Sequence, residues 1–177
     1  MAHDKSDSRP FRPVSIAVLT VSDTRGLDED RSGDLLVARV RDAGHHLQDR
    51  KLLRDDPEAI TAQLRAWVED PTVEAVISTG GTGLTGRDST PEAFEAVIEK
   101  PIPGFGELFR WLSYAKIGTS TIQSRALGGV AGGTFLFALP GSSSAVRDGW
   151  DEILVHQLDV RTRPCNLVEL MPRLRER

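Results

Sequence analysis

The sequence contains a single cysteine, Cys165, so no disulfide can form within the chain. No cysteine pair or histidine cluster has the spacing of a zinc site, and neither a Walker A sequence nor a nucleophile elbow is present. No apolar run approaches the roughly 18 residues that a membrane-spanning helix needs. These absences argue against disulfide-rich, zinc-binding, P-loop, α/β-hydrolase and integral membrane proteins. The cysteine usage predicts a reducing, cytoplasmic setting.

An excess of positive charge is also lacking, since the net charge is −4. Nucleic acid is therefore not expected as the main partner. A membrane is not expected either, because no segment is long enough to span one. The 177 residues suit one domain with a full core, which we place at residues 14–170. Residues 1–13 are polar and have no apolar segment typical of a secretory signal, so we predict a disordered tail there. Residues 171–177 are predicted to form a short C-terminal tail.

The apolar segments of the chain alternate between strand-like and helix-like patterns. Residues 14–21 and 73–77 are short, β-branched apolar runs, which is typical of buried parallel strands. Residues 121–130 and 134–139 flank a Gly-Gly turn and predict an antiparallel hairpin. The predicted fold is a three-layer α/β/α domain with a mostly parallel sheet and one antiparallel hairpin.

A loop rich in glycine and hydroxyl groups follows the strand at residues 73–77. Residues 78–83 read Ser-Thr-Gly-Gly-Thr-Gly, and a helix is predicted to start at Thr90 and Pro91. Glycine lets backbone N–H groups converge on an anion, so this loop predicts a site for a phosphate-bearing ligand. The alternative is a flexible surface turn. The candidate binding residues here are Thr79, Gly80, Gly81, Thr82, Gly83 and Ser89.

The same loop contains a GxGxxG match at Gly81, Gly83 and Gly86. A dinucleotide site needs its helix to begin within these glycines. Here Arg87 to Ser89 intervene and Pro91 sets a later helix start. A nicotinamide cofactor is therefore not expected.

Two more predicted strands end in polar turns. Ser22 and Asp23 follow the first strand, and Pro140, Gly141 and Ser142 follow the last. Because ligands of open α/β sheets bind at the carboxyl ends of the strands, we expect these turns to border the same site. The alternatives are a simple capped turn at Ser22 and Asp23 and a helix N-cap at Ser142.

Two aspartates are candidates for chemistry. Asp88 lies beside the predicted helix start that follows the glycine loop. Asp56 precedes Pro57 and is a good N-cap for the next helix, but a carboxylate at a strand end can also serve a ligand. Both interpretations of Asp56 stay open.

Four ordered blocks, at residues 78–83, 87–93, 103–107 and 139–142, resemble the MoaB/MogA family of molybdenum cofactor biosynthesis. Residues 118–126 and 158–166 are similar to the MoaB branch. The resemblance implies a domain that binds molybdopterin, a phosphate-bearing dithiolene pterin.

The resemblance also implies an activity. Active members use Mg-ATP to adenylate the terminal phosphate of molybdopterin and release pyrophosphate, which makes them nucleotidyltransferases. By the motif match, the family's two important aspartates fall on Asp56 and Asp88, which we assign to catalysis and Mg²⁺ binding. Members form trimers and, in the MoaB branch, hexamers, and other proteins of the pathway are further candidate partners. The alternative is a non-catalytic molybdopterin-binding or scaffold protein.

Overall fold

A computed structural model describes residues 9–23 and 26–176. Its strands are Ser15–Val21 (β1), His46–Leu53 (β2), Ala75–Thr79 (β3), Lys100–Pro101 (β4), Leu127–Ala131 (β5) and Thr134–Leu139 (β6). Its helices are Arg31–Asp42 (α1), Pro57–Glu69 (α2), Thr90–Glu95 (α3), Pro103–Ile117 (α4) and Ser143–Gly149 (α5), the last continuing through the π-helical Trp150–Leu154 into Val155–Gln157 (α6). Short 3₁₀ segments lie at Leu27–Glu29, Gly118–Gln123 and Val168–Arg173. No helix in these described residues is long and apolar enough to cross a membrane.

The strands form one sheet in the order β2-β1-β3-β6-β5-β4. The first four are parallel, and β5 and β4 are antiparallel additions at one edge. All of β3 and all of β6 are buried, which explains why both read as continuous apolar runs. Because β1, β3 and β6 run in parallel, their carboxyl ends meet at one edge of the sheet.

Helices cover both faces of the sheet. On one face α1, α4 and α5 pack over the strands, with Phe109, Phe137 and Trp150 buried between the layers. On the other face α2 and α3 bury Trp67 and Phe94. The predicted three-layer α/β/α domain is confirmed.

The hairpin forms where the sequence predicts it, although its first arm is shorter. Gly132 and Gly133 have φ of 56° and 92° and join β5 to β6 in a two-residue turn that favours glycine. The prediction that β5 begins at Thr121 is wrong. The Thr121 hydroxyl donates to the carbonyl of Arg110 at 3.1 Å, which attaches this segment to α4 as a 3₁₀ turn.

The residues next to both chain ends pack on the domain. Arg9 forms an ion pair with Glu169, and the Arg161 guanidinium lies 4.9 Å from the centre of the Phe11 ring. Residues 9–13, which the sequence assigns to a disordered tail, are therefore bound to the domain. The rest of that predicted tail lies outside the described residues.

The C-terminal residues also contact the sheet. The Arg175 side chain donates to the carbonyl of Gly132 in the hairpin turn at 2.9 Å. Residues up to Arg173 complete the last 3₁₀ segment, and so the predicted boundary at residue 171 falls inside a structural element.

His45 is buried where the N-terminal segment meets the helices. Its Nδ1 accepts a hydrogen bond from the backbone of Val14 at 3.1 Å, and its ring packs between Phe11 and Trp150. Burial lowers the pKa of His45 from 6.5 to about 4, because the charged imidazolium loses its hydration. The neutral form is therefore part of the folded state.

We expect stability to fall as the pH decreases from about 6.5 towards 4. In this range unfolded His45 binds a proton and folded His45 does not, so the free energy of unfolding drops by at most about 1.4 kcal/mol per pH unit. Urea denaturation at several pH values measures this slope. His45→Asn keeps an acceptor for Val14 and removes the titration, so its slope should be shallower. An identical slope in the variant would contradict this assignment.

Candidate functional site

A recess lies where the carboxyl ends of β1, β3 and β6 face α4 and α5. Its volume is about 530 Å³, which suits a small-molecule ligand. The lining includes backbone and hydroxyl groups from the strand ends and apolar groups from the helices. The lining residues are Thr20, Val21, Ser22, Ser32, Gly80, Gly81, Thr82, Gly83, Asp88, Phe109, Ser113, Ile117, Gln123, Ser124, Pro140, Gly141, Ser142, Ser144, Ala145 and Asp148.

One side of the recess, here called the strand-end wall, consists of the lining residues at the carboxyl ends of β1, β3 and β6. The glycine loop after β3 forms its centre. Gly80 and Gly81 have φ of 105° and 63°, a conformation that favours glycine. A Cβ on Gly80 would overlap the carbonyl oxygen of Val21, and one on Gly81 would overlap the hydroxyl of Thr90. The loop backbone therefore lies directly against the end of β1 and the start of α3.

The turn after β6 meets this loop. A Cβ on Gly141 would lie 3.0 Å from the Cα of Gly80, and the Thr79 hydroxyl donates to the carbonyl of Pro140 at 3.1 Å. Ser142 lines the recess and also caps α5, since its hydroxyl accepts from the Ala145 amide at 3.1 Å. The helix-cap interpretation of Ser142 is confirmed, and its contact with a ligand stays a prediction.

Asp88 is held by the loop that it follows. Its Oδ2 accepts from the Thr85 amide at 2.9 Å and from the Thr85 hydroxyl at 2.6 Å. Partial burial would raise the pKa of Asp88, but these hydrogen bonds, one from the Gly83 backbone and the charge of Arg125 outweigh it and lower the pKa. Asp88 therefore lines the recess as a carboxylate at neutral pH.

Asp56 does not line the recess. It is exposed, and its Oδ1 accepts from the amides of Glu58 and Ala59 at 2.9 and 3.3 Å. It is the N-cap of α2. The helix-cap interpretation of Asp56 is confirmed, and its catalytic and metal-binding assignment stays a prediction.

The carboxylate that faces the glycine loop from this strand end belongs to Asp55. Its Oδ1 accepts from the amide and the hydroxyl of Ser89 at 2.9 and 2.6 Å. Its Oδ2 lies 2.6 Å from the position that a Cβ on Gly81 would take. Asp23 accepts from the Asp55 amide at 3.1 Å. The predicted site residues Ser89 and Asp23 thus hold Asp55 in place and lie outside the recess lining.

Arg125 is a second residue that the sequence analysis missed. Its Nε donates to the carbonyl of Gly83 at 2.8 Å, and its Nη2 donates to the carbonyl of Asp88 at 2.7 Å. It also pairs with Glu92 on α3. One guanidinium therefore fixes the backbone on both sides of residues 84–87, and charged hydrogen bonds of this kind are among the stronger ones in proteins.

A buried carboxylate supports the end of β1. Asp30 accepts from the Thr20 hydroxyl at 2.6 Å and from the Arg50 guanidinium at 2.8 Å, and it is fully buried. Burial would raise the pKa of Asp30, but these hydrogen bonds and one from Gly33 lower it. Asp30 therefore anchors Thr20, a lining residue, to the start of α1.

Comparisons with known proteins identify the family of this chain. Residues 17–160 match the family described as "Probable molybdopterin binding domain". The chain belongs to this molybdopterin-binding family. Its role is therefore in molybdenum cofactor biosynthesis, as the sequence resemblance implied.

Relatives in this family cover most of the chain. The chain is 49% identical to molybdenum cofactor biosynthesis protein B of Escherichia coli K12, over 90% of this chain and 94% of that protein. It is 40% identical to the protein of the same name from Bacillus subtilis, over 82% and 86%.

Solved structures of family members show the same fold. A crystal structure of molybdenum cofactor biosynthesis protein B has a TM-score of 0.85 at 36% identity, covering 96% of this chain and all of that one. The tungsten cofactor synthesizing protein MoaB from Pyrococcus furiosus has a TM-score of 0.77 at 31% identity, covering 93% and 99%.

The adjacent aspartates are expected to behave differently on substitution. Asp56→Ala removes the cap of α2 and should lower the free energy of unfolding by about 1 kcal/mol, with molybdopterin affinity unchanged. Asp55→Ala removes the acceptor that joins Ser89 to the glycine loop and should weaken molybdopterin binding by about tenfold or more. Denaturation curves and ligand titrations measure the two effects. Equal losses of affinity in both variants would contradict the distinction.

Proposed function

We propose that this protein binds molybdopterin in the recess and adenylates its terminal phosphate with Mg-ATP, releasing pyrophosphate. The observation that carries the proposal is the composition of the strand-end wall. Glycine backbone and hydroxyl groups are placed beside the ionised Asp88, with Asp55 next to the same loop. Backbone amides and hydroxyls suit phosphate oxygens, and carboxylates suit a divalent cation.

The charge of the recess supports a requirement for Mg²⁺. No lysine or arginine is among the described residues that line it, whereas Asp88 and Asp148 are. Phosphates beside ionised carboxylates repel unless a cation lies between them. Mg²⁺ takes one or two carboxylates and completes its shell with phosphate oxygens and water.

Asp88 and Asp55 are the residues that would hold this ion. Mg²⁺, when bound, withdraws negative charge from the reacting phosphates. The attacking phosphate of molybdopterin is already anionic, so the protein needs no strong general base. The glycine loop and the hydroxyls of Ser22, Thr82 and Ser142 then position the two polyanions, and positioning supplies most of the catalysis in this reaction class.

The first experiment measures pyrophosphate release with molybdopterin, ATP and Mg²⁺. Asp88→Asn should lower turnover by about a hundredfold or more while molybdopterin binding partly remains, because the variant keeps the loop shape and loses the charge. Equal losses of binding and turnover would contradict this role of Asp88. Wild-type protein that binds molybdopterin and releases no pyrophosphate would favour the non-catalytic or scaffold function.

Asp70→Asn is the matched control for this experiment. Asp70 accepts from the amide and the hydroxyl of Thr72 at 2.8 and 2.6 Å, the same pattern that Asp88 forms with Thr85. It is half-buried and lies outside the recess. Its substitution should leave turnover unchanged.

We also propose that the protein assembles into a homotrimer or homohexamer through the outer face of α4. Trp111, Tyr114 and Ile117 on this helix are 68%, 59% and 54% exposed, and Ile122 in the next segment is 76% exposed. Contiguous large apolar side chains on a soluble domain are typical of protein interfaces. The face adjoins the recess, because Ile117 also lines it.

Light scattering coupled to gel filtration tests the assembly. Trp111→Glu places a charge in the proposed interface and should lower the molar mass towards that of the 19.4 kDa chain. Leu170→Glu is the control, since Leu170 is 47% exposed on the C-terminal segment outside α4. A monomeric wild type, or an unchanged mass for Trp111→Glu, would contradict the proposal.

A further inference from the structure

Asp148 is an acidic residue on the side of the recess that α4 and α5 form, here called the helical wall. It lies on α5, it is 7% exposed, and it lines the recess with Ala145 and Ser144 of the same helix. The ammonium group of Lys116 on α4 donates to its Oδ1. Within the part of the chain that the structure describes, no second partner of this carboxylate is found. A mostly buried carboxylate therefore faces the recess with accepting capacity to spare.

The groups around Asp148 differ from those of the strand-end wall. Phe109 and Ile117 of α4 present apolar surface to the recess, and Ser113 lies on the same helix with 4% exposure. Such surroundings suit a flat ring better than a phosphate chain. A carboxylate has acceptor oxygens only, so this wall favours a ligand group that donates hydrogen bonds.

The ring of a pterin has a matching edge. A 2-amino-4-oxopyrimidine carries a ring N–H and an amino group side by side, and both are donors. A carboxylate accepts two such donors through its two oxygens, in the manner of a bidentate pair. Guanine has the same edge, so the chemistry alone fits two sources of ligand.

We infer that Asp148 binds the amino-pyrimidinone edge of the pterin ring and determines the orientation of molybdopterin in the recess. The inference rests on the proposed use of this recess for molybdopterin. In this orientation the helical wall binds the ring and the strand-end wall binds the phosphate. Lys116 pairs with Oδ1 of this carboxylate from α4 and is assigned no part in ring recognition.

The experiment compares pterin with lumazine, which has an oxygen in place of the 2-amino group. Fluorescence titration should show that the wild type binds pterin about tenfold more tightly than lumazine, and that Asp148→Asn loses this preference. Binding of inorganic pyrophosphate in the presence of Mg²⁺ should be the same in both proteins, because that ligand needs only the strand-end wall. Guanosine is titrated in parallel, and tighter binding of guanosine than of pterin overturns the assignment to a pterin.

Lys116→Met is the control for a purely structural ion pair. If the pair only joins α4 to α5, both variants lower the thermal midpoint and neither changes the ratio of pterin to lumazine affinity. If Asp148 reads the ring, Lys116→Met keeps the preference and Asp148→Asn does not. The inference is overturned by a preference that survives in Asp148→Asn, by equal loss in both variants, or by a wild type that does not distinguish the two rings.

This result is independent of the proposed reaction. Titrations with pterin and lumazine need neither ATP nor turnover. Absence of pyrophosphate release together with an intact pterin preference would remove the adenylation proposal and leave Asp148 as the ring-binding residue. Pyrophosphate release by an Asp148→Asn variant that still prefers pterin would remove the ring-binding role of Asp148 and leave the adenylation proposal in place.

Discussion

The close approach of backbone at Gly80 is the constraint on which the recess depends. The Cα of Gly80 lies against the carbonyl of Val21 on one side and against Gly141 on the other, with no space for a side chain. The sheet makes this approach necessary, because its register places Thr79 beside both Thr20 and Leu139. Three strand ends are thus level at one edge, and only glycine lets their loops meet. The phosphate-binding potential of the site follows from this contact, since it brings main-chain groups together where side chains would separate them.

Much of this arrangement can be predicted from the sequence because it depends on short-range sequence patterns. Continuous apolar runs indicate buried parallel strands, and Gly132-Gly133 indicates the hairpin. The order of strands and turns then predicts that the glycine loop and the Pro140–Ser142 turn border one edge, and both line the recess. The length of β5 was less predictable, because Thr121 is fixed by a hydrogen bond to α4 rather than by its own β propensity.

The parts of the site that escaped prediction depend on contacts between distant residues. Asp55 and Asp56 are neighbours, and Pro57 makes Asp56 the better cap, but only the path of the chain after β2 turns Asp55 towards Ser89. Arg125 contacts the glycine loop although it lies 42 residues from Gly83 in the sequence, and no sequence motif indicates this contact. Asp148 resembles an ordinary polar residue on a helix until α4 packs beside α5 and closes the recess around it.

The distribution of charge in the recess favours one orientation of the ligand in the proposed complex. An anionic ligand enters a recess that has carboxylates and no basic side chain among its described lining residues. At the strand-end wall the contact between Asp88 and phosphate is favourable only through a shared cation. At the helical wall the contact between Asp148 and the ring needs no cation, because the ring donates hydrogen bonds to the carboxylate. A reversed ligand would place phosphate beside Asp148 and a neutral ring beside the glycine loop, and both contacts would be worse. In the proposed complex the two carboxylates therefore distinguish the two ends of one ligand: Asp148 accepts from the ring, and Asp88 shares a cation with the phosphate.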